Sequence, residues 1–157
     1  MNELQQTQRF QRLIRPNMKQ VDLIHLYKKL IKEEAQEVAD AVTVGNMLKE
    51  AGDLIVVAVG LINAMGADAS EVLEQVNVSN MSKMCLSEAE CIDTERAFMA
   101  LGVKTYTLHL EDCYGVYSAS DQRDINGKEY AADKLLKAVN YSPVNEDQLA
   151  KLSEIEL

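Results

Sequence analysis

Glu33-Glu34-x-x-Glu37 and, twelve residues further on, Glu50-x-x-Asp53 are the positions whose types and spacing can do chemistry. Residues three or four apart share one face of a helix. Glu34 and Glu37 would therefore project together from one helix, and Glu50 and Asp53 from the next. If those helices are antiparallel neighbours, four carboxylates converge between them. Unpaired, that convergence is repulsive, and a hard divalent cation resolves it. Mg²⁺ (or Mn²⁺) takes oxygen ligands and suits phosphate chemistry. It would bridge the carboxylates and the substrate's phosphate oxygens, and one carboxylate or a cation-held water would supply the attacking hydroxide. Taken alone, the first triplet also describes solvated charges paired with Lys28, Lys29 and Lys32. The second pair favours the metal site, because Glu50 and Asp53 stand directly before an apolar run.

The elements that must position these residues are legible in the periodicity. Residues 3–15 read as a short amphipathic helix with Leu4, Phe10, Leu13 and Ile14 on an apolar face, ended by Pro16. A long helix follows, with Val21, Ile24, Tyr27, Lys28, Ile31, Ala35, Val38 and Val42 at helical spacing and Gly45 at its end. The short connection around Gly45 makes it antiparallel to the next helix, about residues 46–65. Leu54 to Ile62 of that helix is apolar all round, which predicts burial on every side and hence packing against a second subunit. Gly66 ends it, and Asp68 or Ser70 caps a helix running to about Met84. Ser87, with Glu90 three residues on, opens another helix that stops at Gly102.

Beyond Gly102 the period changes to two. Residues 103–110 and 114–118 read as a β-hairpin about Glu111-Asp-Cys113, and Asn126-Gly127 as a turn. Two short helices are predicted over 130–139 and 145–154, separated by Tyr141-Ser-Pro143. The chain reads as mainly α: one domain over 1–157, an antiparallel helix bundle over about 1–85 with a small α/β appendage carrying the hairpin over about 86–157.

With 16 basic and 25 acidic residues the net charge is −9, which excludes a protein that holds nucleic acid by its phosphates. It leaves a nucleotide substrate open, since a metal site in the acidic surplus would carry the phosphate charge. Cys85, Cys91 and Cys113 lack CxxC spacing and read as reduced thiols in a cytosolic protein. No signal-peptide run or membrane span is evident, so a soluble cytoplasmic protein is expected. There is no Gly-rich phosphate cradle and no nucleophile triad. A di-iron bundle would need two Glu-x-x-His pairs, and neither His25 nor His109 has the glutamate.

The two acidic clusters at this spacing resemble the MazG-like and phosphoribosyl-ATP-pyrophosphohydrolase-like superfamily of all-α NTP pyrophosphohydrolases. Three further stretches carry the resemblance: Gly52-Asp53-Leu54 opening an apolar helix, Val76-Asn77-Val78-Ser79-Asn80-Met81-Ser82-Lys83, and Asn140-Tyr141-Ser142-Pro143 near the end. The last is similar to the ending of phage and bacterial members. The resemblance implies that Glu34, Glu37, Glu50 and Asp53 bind metal, with Glu33 as a supporting or water-activating carboxylate, so that Glu33, Glu34 and Glu37 are the catalytic candidates. It places Asn77, Asn80 and Lys83 against substrate phosphate or ribose. In the family's Gly-Lys-x-Leu-Lys stretch this chain carries an insertion, Glu129 to Lys134, which leaves Lys128, Lys134 and Lys137 as phosphate-contact candidates.

The implied reaction converts a (d)NTP and water to (d)NMP and pyrophosphate, in a homodimer or homotetramer, in the cytoplasm (the host's, if phage-encoded). The ending suggests a deoxynucleotide such as dGTP. The alternatives are phosphoribosyl-ATP as substrate, or a non-catalytic acidic interaction protein whose carboxylates would spread over a surface.

Overall fold

The structure is a computed structural model that describes residues 1–155. It is mainly helical, in the order α1 (Glu3–Ile14), α2 (Gln20–Asp40), α3 (Val44–Ala64), α4 (Ala69–Met81), α5 (Glu88–Ala100), β1 (Thr105–Leu110), β2 (Cys113–Ser118), β3 (Gln122–Arg123), β4 (Glu129–Tyr130) and α6 (Glu146–Ala150). Residues 1–74 with 145–155 form one compact unit and residues 75–144 another.

In the first unit α2 and α3 make the most extensive helix–helix packing. They run antiparallel: Tyr27 lies against Gly60, while Glu34, further along α2, meets Glu50 and Asp53, earlier in α3. The buried core of Tyr27, Val57 and Ala64 is flanked by Leu23, Ile24, Leu30, Ile31, Leu54 and Leu61. The close approach requires glycine at position 60, since a Cβ there would stand 2.3 Å from the Tyr27 ring. The connection differs from the sequence expectation. α2 ends at Ala41 in extended backbone, Thr43 caps α3, and Gly45 lies inside the first turn of α3 rather than closing α2. The Thr43 hydroxyl accepts from the Asn46 N–H, so the cap sets the boundary and no left-handed glycine is needed.

α1 packs on α3 through its polar side. Gln8 and Gln11 are buried, whereas Phe10, Leu13 and Ile14 of the expected apolar face are exposed. The reason is hydrogen bonding. Gln11 donates to the Val56 carbonyl at 3.0 Å and accepts from the Tyr27 hydroxyl, Arg15 donates to the same hydroxyl, and Gln8 donates to Asp68. A buried phenol needs such partners. Asp68 caps α4 by accepting from the Ser70 and Glu71 N–H groups, as expected.

In the second unit Ser87 caps α5, and Glu90 reaches back to the Leu86 N–H. β1 and β2 form the expected antiparallel hairpin, Thr105 opposite Ser118 and Leu110 opposite Cys113. A second small hairpin, β3–β4, closes on Gly127 at φ +83°. Residues 130–139 are not helical. Leu136 N–H bonds the Val116 carbonyl at 2.8 Å, and Ser118 N–H bonds the Lys134 carbonyl at 2.9 Å, so the segment lies along the open edge of β2. Leu136 and Ala138 are buried while Lys137 and Val139 are exposed, a strand period hidden in a composition that favours helix. Unpaired edge groups of β2 outweigh local propensity. The last predicted helix is confined to α6, with turns after Ala150. Cys85, Cys91 and Cys113 are free and buried. Among the described residues no single helix is long and apolar enough to cross a membrane.

Candidate active site

The core stripe and the carboxylates are one continuous pattern. On α3, Glu50, Asp53, Val57, Gly60 and Ala64 follow at alternating spacings of three and four, so the face that packs against α2 at Gly60 carries acid at its other end. On α2, Glu34 lies seven residues beyond Tyr27 and stays on Tyr27's face. The helix pairing that buries Tyr27 therefore brings together Glu34, Glu50 and Asp53, each with a carboxylate oxygen within 4.8 Å of the others. Glu50 is only 6% exposed.

Glu37 is on the rim of this group. Its carboxyl is held above the ordinary value, first by a hydrogen bond with Glu50, then by the negative charges of Glu50 and Glu34, with burial adding and Lys49 opposing. Crowding of like charges disfavours the ionised form, which is the direction seen here. Glu33 points elsewhere: it is half exposed and pairs with Lys29 at 3.6 Å, one turn away.

Lys49 is the site residue that sequence reasoning missed. Its ammonium lies 2.8 Å from Glu50 Oε2 and 2.8 Å from Asp53 Oδ2. These hydrogen bonds, Asp53's first, push its pKa up. The available signal was its spacing, one residue before Glu50 and four before Asp53.

The donor set fits a hard divalent cation. All the donors are carboxylate oxygens, one carboxylate is buried, and the single ammonium of Lys49 is shared by Glu50 and Asp53, so the cluster holds more negative charge than Lys49 neutralises.

The substrate-side candidates all belong to the second unit. Asn77 is exposed. Asn80 accepts from the Lys83 ammonium at 2.6 Å. Lys137 stacks over the Tyr141 ring, 4.3 Å from its centroid, and Lys128 over the Tyr130 ring at 5.2 Å. Lys134 is exposed. Lys83 and Lys137 thus share a neighbourhood around Tyr141, whose phenol feels both charges, whereas Lys128 belongs to the β3–β4 turn, where its N–H donates to Asp124.

Residues 3–80 match the family model for phosphoribosyl-ATP pyrophosphohydrolase. The chain belongs to the MazG-like, phosphoribosyl-ATP-pyrophosphohydrolase-like superfamily of all-α NTP pyrophosphohydrolases. It is accordingly a hydrolase acting on phosphoric anhydride bonds. The family is metal-dependent in general, and Glu34, Glu50 and Asp53, with Glu37 at the rim, all lie inside the matched region. No curated protein and no solved structure matches the chain significantly.

Proposed function

We propose that the chain hydrolyses a free nucleoside triphosphate between its α and β phosphates, giving (d)NMP and pyrophosphate, with a deoxynucleotide such as dGTP as substrate. The observation that carries this reading is the meeting of Glu34, Glu50 and Asp53 across α2 and α3, with Glu37 at the rim. Glu34, Glu37, Glu50 and Asp53 would hold Mg²⁺ or Mn²⁺, which when bound neutralises phosphate charge and makes the attacking water more acidic. Glu37, whose proton affinity is raised by the Glu50 hydrogen bond and the Glu50 and Glu34 charges, is suited as a carboxylate to take a proton from that water. Glu34 orients the same water from one turn away, and Glu33 supports the helix face through Lys29. Asn77, Asn80, Lys83, Lys128 and Lys137 bind phosphate or ribose, because amides and ammoniums are the donors a triphosphate needs.

In this reading residues 1–157 work as one domain, in the cytoplasm and without nucleic acid, consistent with the −9 charge. A homodimer or homotetramer is supported by large apolar side chains left exposed on α1 and α3, among them Phe10, Leu13 and Ile55. Sedimentation of a monomer at micromolar concentration would refute that part.

Phosphoribosyl-ATP is the second reading, favoured by the description of the matched family model. The free nucleotide is preferred because residues 81–155, beyond the match, add two further helices and two hairpins. The test is product analysis on a panel of NTPs, dNTPs and phosphoribosyl-ATP with Mg²⁺, Mn²⁺ or EDTA. Monophosphate plus pyrophosphate from a dNTP is expected. Turnover of phosphoribosyl-ATP alone would select the second reading, and orthophosphate as the direct product would move the cleaved bond.

A further inference from the structure

Tyr141 lies where two chain segments far apart in sequence are joined. The Ala138 N–H bonds the Lys83 carbonyl at 3.2 Å, and Ser82 both donates to the Ser142 carbonyl and accepts from the Ser142 N–H. Ser79, buried at the end of α4, donates to the same Ser142 carbonyl at 2.9 Å. These bonds clamp residues 138–142 against residues 79–83. The half-buried Tyr141 ring carries the Lys137 ammonium over its face, and the Lys83 ammonium, held by Asn80, is close enough for the phenol to feel its charge. Among the described residues neither lysine has a carboxylate partner, although Lys49, Lys29 and both paired arginines do.

We propose that Tyr141 is an anion-contact residue, its hydroxyl donating to a phosphate oxygen at a pyrophosphate subsite completed by Lys83 and Lys137. Two ammoniums supply the charge, and a phenol supplies a directed donor that a flexible lysine lacks. The phenol is tuned for this: the Ser79 hydroxyl beside it, then the Lys137 and Lys83 charges, hold its pKa below the ordinary value against the opposing effect of burial. A more acidic O–H is a stronger donor to an anionic oxygen. The Lys137–Tyr141 stack also restricts a side chain that would otherwise lose more freedom on binding.

The inference rests on the proposed triphosphate chemistry but is tested apart from turnover. Inorganic pyrophosphate is titrated calorimetrically into the full chain in EDTA, using wild type, Tyr141→Phe, Lys137→Met and Glu50→Gln. Tyr141→Phe keeps the ring and the fold, which its unfolding temperature checks. Loss of one charge-assisted hydrogen bond predicts roughly tenfold weaker pyrophosphate binding, with a similar loss in Lys137→Met and wild-type affinity in Glu50→Gln. If the proposed hydrolysis fails on every nucleotide while these affinities hold, the subsite stands by itself. Tyr141→Phe binding within twofold of wild type overturns the inference, and so does the absence of saturable binding by wild type.

Discussion

The Lys49 ammonium lies 2.8 Å from Oδ2 of Asp53, one helical turn away, on a member of the carboxylate cluster. The same ammonium contacts buried Glu50. The protein's own ammonium thus neutralises part of the charge that a divalent ion would meet. Lys49→Met removes this competitor and leaves the carboxylates more repulsive in metal-free protein. Mg²⁺ affinity should rise by roughly two- to fivefold, the scale of an exposed ion pair, as read by calorimetry. An unchanged or weakened affinity would mean that Lys49 does not compete with the metal.

The four carboxylates differ in burial and company, and their substitutions should rank accordingly. Glu50→Gln, at the most buried position, should lower kcat/KM by about a hundredfold or more and abolish metal binding. Glu37→Gln should follow. Glu33→Gln, on the exposed Lys29 side, should cost no more than about fivefold. Steady-state kinetics at saturating Mg²⁺ give the order, and a Glu33 effect equal to that of Glu50 would contradict this geometry.

Gly60 tests the helix pairing. Gly→Ala inside a helix ordinarily stabilises by about 1 kcal/mol. Here the added methyl would meet the Tyr27 ring at 2.3 Å, and overpacking of about 1–3 kcal/mol should win. Gly60→Ala is expected to lower the unfolding temperature and, by separating α2 from α3, to weaken metal binding as well. A thermal scan showing stabilisation would mean that the ring can move aside at no cost.

Asp68 supplies a pH dependence of stability. Its carboxyl is held below the usual 3.8, first by the Gln8 hydrogen bond and, against burial, by the Ser70 and Glu71 N–H groups. A depressed folded-state pKa contributes stability that is present above the unfolded value and lost as pH falls through the folded one. Asp68→Ala should therefore cost about 1 kcal/mol at pH 7, as loss of a cap does. The gap from wild type should close below pH 3.8. Urea unfolding at several pH values measures it, and a gap that persists through that range would assign Asp68 a purely steric role.

Much of the architecture was local and therefore legible in the residues. Helical periodicity marked α1 to α5, Asp68 and Ser87 announced their caps, and alternation marked β1 and β2. The carboxylates could be named because three- and four-residue spacing puts side chains on one helix face whatever surrounds them. What needed the tertiary structure was every outcome set by a distant partner. Gln8 and Gln11 turned inward because Asp68, the Val56 carbonyl and the Tyr27 hydroxyl needed them. Residues 130–139 became extended because β2 had an open edge. Glu34 joined Glu50 and Asp53, with Glu37 at the rim and Glu33 outside, because Tyr27 packing on Gly60 set the rotation of α2 against α3. Lys83 met Lys137 around Tyr141 through backbone bonds between segments more than fifty residues apart. Spacing along one helix follows from backbone geometry, but the choice of which side of it is buried depends on the surface it meets.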